Sequence, residues 1–156
     1  MRANYLNQFV PPTTSTAVVP ITATAQLAQT VQRPTALAHA EDSLDPVGLF
    51  VQWSALTNAG TNSVRFQVQQ SSDNAGQTNV LTVADTGVMA TATDPRLLNN
   101  NSLFLAIDWN LVTQPYLTVL LTLAGNGTPS ISILMAELVN TSDVPRFTTV
   151  AANYTP

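Results

Sequence analysis

Between Val47 and Val139 the sequence repeatedly alternates apolar and polar residues over short runs, and it almost never places a charged side chain there. In the run 64–69, for example, Val, Phe and Val alternate with Arg and Gln. Successive side chains of a strand point to opposite faces, so a period of two predicts a half-buried β-strand. Runs of this kind recur between turn-forming residues, which predicts an all-β domain.

The strand pattern is clearest in six runs, and no long amphipathic helix interrupts them. The predicted strands cover residues 47–53, 64–70, 79–84, 103–109, 116–123 and 130–139, with residues 146–150 as a candidate final edge strand. The run Gly125-Asn126-Gly127 is predicted to close a hairpin between the last two of the six. Short strands at this spacing indicate an antiparallel β-sandwich, with a jelly roll as the expected connectivity.

The first 46 residues have a different character. Pro11, Pro12, Pro20 and Pro34 interrupt Thr- and Ala-rich pieces, and each biases the preceding residue toward extended geometry. A short helical turn around 36–41 is the one helical candidate. We therefore predict two units, an extended arm over residues 1–46 and a β-sandwich domain over residues 47–156, with the arm lying on its own domain or on a neighbour's.

Composition excludes several functions. Charged residues make up 9% of the chain, against about 25% in ordinary globular domains. The net charge is −4, lysine is absent and the five arginines are scattered, so we expect no nucleic-acid binding and no polybasic membrane contact. The N-terminus lacks the apolar run of a signal peptide, and the longest apolar stretch, 116–124, is far shorter than a membrane span.

Catalytic residue types are scarce. The single histidine, His39, lies beside Glu41, Asp42 and Ser43, which are the residue types of a hydrolytic triad. A working triad is assembled in space from separate segments, so we interpret His39 as a solvated linker residue. The sequence therefore predicts that the protein is not an enzyme.

The carboxylates leave one enzymatic alternative open. Asp108 and Glu137 fall inside predicted strands, and a pair of carboxylates across a cleft could hydrolyse a glycosidic bond. The preferred interpretation is that each lies on the polar side of a sheet or is a buried partner of Arg65 or Arg96. A hydrolase on a β scaffold, dependent on His39 or Glu137, remains the second alternative function.

Metal and small-molecule sites have weak support. Asp42 with Asp45, or Asp73 with Asn74, could offer oxygen ligands to calcium, but no loop has the EF-hand spacing, and Asp and Asn favour turns in any case. We therefore predict no metal, no cofactor and no small-molecule substrate.

Three aromatic residues could form a platform for a sugar. They are Trp53, Trp109 and Tyr116. Trp53 continues an apolar strand face and is predicted to lie in the core. Trp109, next to an aspartate, is the better candidate for partial exposure.

An uncharged surface and an extended arm are typical of an assembly component. A monomer usually covers itself with about 25–35% ionic residues, whereas this chain must use Thr, Asn, Gln and Ser or bury its surface against other subunits. Sheet faces without charge dock without the desolvation cost of buried ions. The candidate partner contacts are Phe9, Val18, Val19, Ile21 and Trp109.

One alternating strand runs directly into a Ser-Ser-Asp turn, in the segment Val64-Arg65-Phe66-Gln67-Val68-Gln69-Gln70-Ser71-Ser72-Asp73-Asn74. Together with the later strands at 103–109 and 130–139, this segment resembles the jelly-roll cement or decoration proteins of tailed bacteriophage capsids. The resemblance covers residues 47–140 and is one of pattern. It implies a virion protein on the outer capsid surface, made in the host cytoplasm, that bridges capsomers of the major capsid protein as a homodimer or homotrimer.

The expected function is accordingly that of a capsid cement or decoration subunit, which stabilises the shell by binding only its assembled form. The first alternative is a carbohydrate-binding or adhesive β-module, such as a head fibre or receptor-binding piece.

Overall fold

Ten strands make up most of the described part of this chain. The computed structural model describes residues 8–10, 20–27, 30–32, 47–57, 61–98 and 101–140. In order, the strands are β1 Gln8–Val10, β2 Ala25–Gln26, β3 Val31–Gln32, β4 Val47–Leu56, β5 Ser63–Ser71, β6 Leu81–Asp85, β7 Met89–Ala90, β8 Ser102–Ala106, β9 Tyr116–Ala124 and β10 Ile131–Asn140. A one-turn helix, α1 (Pro95–Leu98), and a 3₁₀ turn (Trp109–Leu111) complete the described elements.

The strands form two antiparallel sheets packed against each other. Sheet A has the order β1-β10-β4-β8. In sheet B, β9 and β5 are the central strands; β2 and β3 lie along the outer side of β9, and β6 and β7 lie along the outer side of β5. The prediction of an all-β sandwich is therefore confirmed.

The core is the layer between the sheets, and the alternation in the sequence explains it. Along β5, Val64, Phe66 and Val68 are fully buried, while the Arg and Gln residues between them are partly exposed. Along β4, Trp53 is 2% exposed, which confirms its predicted place in the core. Both sheets thus turn one apolar face inward, as period-two strands must when one face is buried.

The arm contributes strands to both sheets. β1 pairs with β10 in sheet A, and β2 and β3 pair with β9 in sheet B. Phe9, Leu27 and Val31 are buried in the same core as the residues of β4 and β5. The described parts of the arm therefore lie on the chain's own sandwich and supply part of its interior. The predicted helical turn at 36–41 and the candidate strand at 146–150 fall outside the described residues.

The predicted hairpin at Gly125–Gly127 is wrong. Its two flanking strands lie in different sheets, β9 in sheet B and β10 in sheet A, so the connection crosses the sandwich. The link from β4 to β5 crosses in the same way, and the two crossings lie side by side, with the Thr57 amide nitrogen donating to the Ser130 carbonyl at 2.9 Å. A Gly-rich turn signal marks a chain reversal but does not say which sheet the next strand joins.

A second, smaller apolar cluster lies on the outer side of sheet A. Phe50 of β4 and Phe104 of β8 lie directly opposite each other, and both are 4% exposed. Val139 of β10 is the third buried member of the cluster. The ring of Phe104 extends over Gly48, where an added Cβ would lie 2.6 Å from the Phe104 Cζ atom and 2.4 Å from the Leu105 carbonyl oxygen. Gly48 therefore permits a close approach of β4 and β8.

We expect Gly48→Ala to lower the free energy of unfolding by about 1–3 kcal/mol, because the new methyl group meets a backbone atom that cannot move aside without shifting β8. Urea denaturation followed by tryptophan fluorescence measures this. The matched control is Gly87→Asn: Gly87 has open space around it, and asparagine tolerates its positive φ of 68°. Equal losses in both variants would contradict the assignment of Gly48 as a contact position.

Candidate functional surface

The carboxylates singled out by the sequence do not come together. Asp108 lies beyond the end of β8 and caps the 3₁₀ turn, where its Oδ1 accepts from the Asn110 backbone nitrogen at 3.1 Å. Glu137 is buried on the outer side of sheet A, opposite Phe50. The prediction that Asp108 lies within a strand is wrong, because β8 ends at Ala106.

The two arginines proposed as their partners bind other residues. Arg65 forms a bidentate ion pair with Asp85 across β5 and β6. Arg96 pairs with Asp94, 2.7 Å away, and also donates from Nη1 to the Thr86 carbonyl at 2.8 Å. Each pair lowers the pKa of its aspartate, chiefly through hydrogen bonds from the arginine. The interpretation of Asp108 or Glu137 as a partner of Arg65 or Arg96 is therefore wrong, since both guanidinium groups are engaged elsewhere.

The Asp73 carboxylate organises its own loop. Its Oδ1 accepts from the backbone nitrogens of Ala75 (2.7 Å) and Gln77 (3.3 Å), and its Oδ2 accepts from the backbone nitrogen of Thr78. Hydrogen bonding from Thr78 is the main cause that holds the pKa of Asp73 below its usual range. In the described ranges, no three His, Cys, Asp or Glu side chains come together as a metal site would require. Asp42, Asp45 and His39 lie outside those ranges.

Both tryptophans face inward. Trp109 is 8% exposed, and its Nε1 donates to the Val47 carbonyl at 3.1 Å in a buried hydrogen bond. The expected partial exposure of Trp109 is therefore wrong: the 3₁₀ turn brings the indole back over the start of β4, where its N–H finds a backbone partner. Among the three residues of the predicted sugar platform, Tyr116 alone remains partly exposed.

The predicted partner contacts in the arm can be placed in part. Phe9 is completely buried within the subunit, and Ile21 is partly buried, with a backbone bridge to Ile131. Neither Phe9 nor Trp109 offers its side chain to a partner in this arrangement. Val18 and Val19 lie outside the described residues.

The outer side of sheet B carries mainly polar side chains, and we call it the polar face. Its residues are Gln26 of β2, Arg65, Gln67 and Gln69 of β5, and Leu120 and Thr122 of β9. Gln26, Leu120 and Gln67 form one cross-strand row, and Asp85 of β6 ends that row. Because Arg65 pairs with Asp85, the polar face carries amides and hydroxyls but little uncompensated charge.

The loop after β5 covers one end of the polar face. Gln26 Nε2 donates to the Gly76 carbonyl at 3.0 Å, and an added Cβ at Gly76 would lie 3.0 Å from the Thr118 methyl group. Thr118 is consequently only 1% exposed although it points away from the core. The loop that contains the Ser-Ser-Asp turn thus covers Thr118, and hydrogen bonds to the Asp73 carboxylate fix the conformation of this loop.

Three of the five exposed large apolar residues in the described ranges lie near the end of β5, and we call them the apolar corner: Val80, Leu81 and Leu111. Leu81 lies opposite Gln70 in register, and Gln70 Nε2 donates to the Leu111 carbonyl at 2.9 Å. The Gln70 Oε1 atom accepts from the backbone nitrogens of Thr113 and Gln114 at 2.7 and 2.8 Å. The buried Gln70 therefore holds the β8–β9 connection against the end of β5, and Leu81 and Leu111 are exposed near it.

Comparison with known proteins does not assign the chain to a group. No protein-family model matches the sequence, and no curated protein matches it significantly. None of the helices in the described ranges is long and apolar enough to cross a membrane.

We expect the loop after β5 to loosen in acid. A carboxylate whose pKa is depressed on folding stabilises the folded form above its ordinary pKa, and this contribution is lost as the pH falls through the folded value, below about pH 4. Amide hydrogen exchange of Ala75, Gln77 and Thr78, corrected for intrinsic pH dependence, should therefore accelerate between neutral pH and about pH 3.

The variant Asp73→Asn should show fast exchange at both pH values, whereas Asn74→Ala, an exposed change in the same loop, should retain the dependence on pH. Unchanged protection in Asp73→Asn would contradict the role assigned to the carboxylate.

Proposed function

We propose that this protein is a virion structural subunit, a cement or decoration protein on the outer capsid surface that bridges subunits of the major capsid protein. The observation that carries the proposal is the sparsely charged surface of a well-packed sandwich, on which Asp73 and Asp108 are the described carboxylates without a cationic partner. Both described arginines are paired with aspartates, the Asp73 carboxylate is engaged by its own loop, and Glu137 is buried. Such a surface suits recognition by extended contact rather than by charge.

The strand order supports a jelly roll. If β2 and β3 count as one strand and β6 and β7 as another, eight strands lie in two four-stranded sheets. The chain then changes sheet at each connection apart from the one between β5 and β6, which is the path that two interlocked Greek keys produce. Jelly rolls recur in viral capsid and lectin domains, although a fold by itself does not assign function.

The two exposed surfaces supply different contacts. The polar face offers amides and hydroxyls that can exchange water for a partner's backbone and side chains at low desolvation cost, since neutral groups are less costly to bury than ions. The apolar corner, with Leu81 55% and Leu111 54% exposed, offers a small hydrophobic anchor. Protein–protein interfaces commonly combine apolar anchors with neighbouring hydrogen-bonding groups.

The arm can link neighbouring subunits without losing any contact. Residues 33–46 join β3 to β4, and fourteen residues can extend up to about 50 Å. An arm that docks on a neighbour would place Phe9, Leu27 and Val31 in an equivalent core, so exchange conserves the buried area while connecting two copies. We therefore propose that the subunit is a homodimer or homotrimer tied together by its arms.

The oligomer should be insensitive to salt. Light scattering after size exclusion should give one defined dimer or trimer mass for the full chain, unchanged between about 0.05 and 1 M salt, because screening acts on charged contacts and this surface has few. A monomer across the accessible concentration range would contradict the proposed assembly, and dissociation at high salt would contradict its uncharged interface.

Arm exchange can be tested by cysteine pairs, because the natural sequence has no cysteine. Gln26 and Leu120 are opposite each other, and the adjacent Leu27 nitrogen donates to the Val119 carbonyl. They thus occupy a non-hydrogen-bonded pair with Cα atoms about 4.5 Å apart, within disulfide range. When Gln26→Cys and Leu120→Cys chains are refolded together and oxidised, exchange predicts a covalent dimer containing one chain of each kind.

As a control, each single variant is oxidised alone, which measures how much covalent dimer forms by random collision. A double variant carries both Gln26→Cys and Leu120→Cys in one chain. If the mixture of single variants stays at that background while the double variant forms its disulfide within one chain, the arm remains on its own sandwich. That result would contradict arm exchange. The proposed oligomer is tested separately, by its mass in the light-scattering measurement.

A further inference from the structure

The crossing between β9 and β10 contains the only Asn–Gly dipeptide of the chain, Asn126-Gly127. Asparagine followed by glycine is chemically labile, because the small glycine lets its backbone nitrogen approach the preceding side chain. The Gly127 nitrogen attacks the Asn126 Cγ atom, a new N–Cγ bond closes a succinimide ring, and the Cγ–Nδ2 bond breaks to release ammonia. Water then opens the ring to aspartate or isoaspartate. No oxidant or further reactant is required.

In the folded chain, the attacking nitrogen is held by a different residue. The Gly127 N–H donates to Asn62 Oδ1 at 2.9 Å, and Asn62 Nδ2 donates back to the Gly127 carbonyl at 3.0 Å. Asn62 is 1% exposed, so water does not readily replace it. The peptide nitrogen that must turn toward Asn126 is therefore bound to the β4–β5 crossing.

The electrophilic side chain is held from another direction. Asn126 Oδ1 accepts from Thr61 Oγ1 at 3.0 Å and from the Thr61 backbone nitrogen at 3.3 Å. Succinimide closure would have to rotate this amide away from Thr61 while Gly127 leaves Asn62. Attack thus requires the two crossings to separate first, which is a local opening of this end of the sandwich.

We propose that Asn126 is a deamidation site that the folded sandwich keeps closed, so that its conversion records the opening of the paired β4–β5 and β9–β10 crossings. The site does not depend on the proposed capsid function. It converts transient opening into a permanent covalent change, because the released ammonia does not return.

The isoaspartate product would not fit the closed crossing. It adds one carbon to the backbone between Gly125 and Gly127, where the fit is already close. Gly125 has a φ of 131°, and an added Cβ there would lie 2.6 Å from the Asn62 Cα atom. Conversion should therefore weaken the contact between the crossings and favour further opening.

The test is a time course on the full chain at mildly alkaline pH and 37 °C, with Asn126 conversion and isoaspartate located by peptide mass mapping. The folded chain should convert at least about tenfold more slowly than the same chain in urea, since opening must precede attack. Thr61→Val, which removes the hydroxyl donor while keeping the side-chain shape, should raise the folded rate several-fold. Asn62→Ala should raise it further.

Asn74→Ala is the matched control. Asn74 is exposed in the loop after β5, at the other end of that strand from Asn62, and belongs to neither crossing. In urea all variants should convert at one rate, which shows that the intrinsic chemistry is unchanged. Equal rates for the folded and unfolded chain, or equal acceleration by Asn74→Ala and Thr61→Val, would overturn the proposal. If Asn62→Ala fails to fold, Thr61→Val still decides.

Discussion

The apolar layer between the two sheets is the contact on which the rest of the molecule depends. Each sheet is stable only because one of its faces is covered by the other, and large side chains such as Trp53 and Phe66 fill the space between them. Phe9 reaches this layer from a three-residue strand near the N-terminus. Short arm strands of two or three residues could not persist alone, so it is burial in a common core that gives them their register.

The connections between the sheets follow from that layer. A chain that passes repeatedly from one sheet to the other must turn at the ends of the sandwich, where backbone groups leave the strand ladder. Buried amide side chains satisfy them: Asn62 binds both polar groups of Gly127, and Gln70 accepts from two successive backbone nitrogens in the β8–β9 connection. Both glutamine and asparagine can donate and accept at once, which explains why uncharged residues suffice at both ends.

Much of the strand content could be predicted from the sequence. The alternation over 64–69 predicts a half-buried strand, and β5 extends over Ser63–Ser71 with that alternation intact. The same reasoning gave too long a strand at 103–109, because Ile107 and Trp109 are apolar and buried although they lie in a loop and a 3₁₀ turn. Apolar alternation can therefore continue past the end of a strand, because loop residues that face the core are buried as well.

The candidate surface was less predictable, because it depends on which residues of distant strands become neighbours. Charge scarcity, visible in composition, predicted an uncharged exterior. Pairing of Arg65 with Asp85 rather than with Asp108 or Glu137 follows from the register of β5 on β6, and the inward turn of Trp109 follows from the path of one loop. The sequence by itself determined the strands, their buried faces and the shortage of charge, since these are set by local alternation and residue type. Only the tertiary structure decided which sheet each strand joins, which polar groups meet and which aromatics are covered, because those contacts form between residues far apart in the chain.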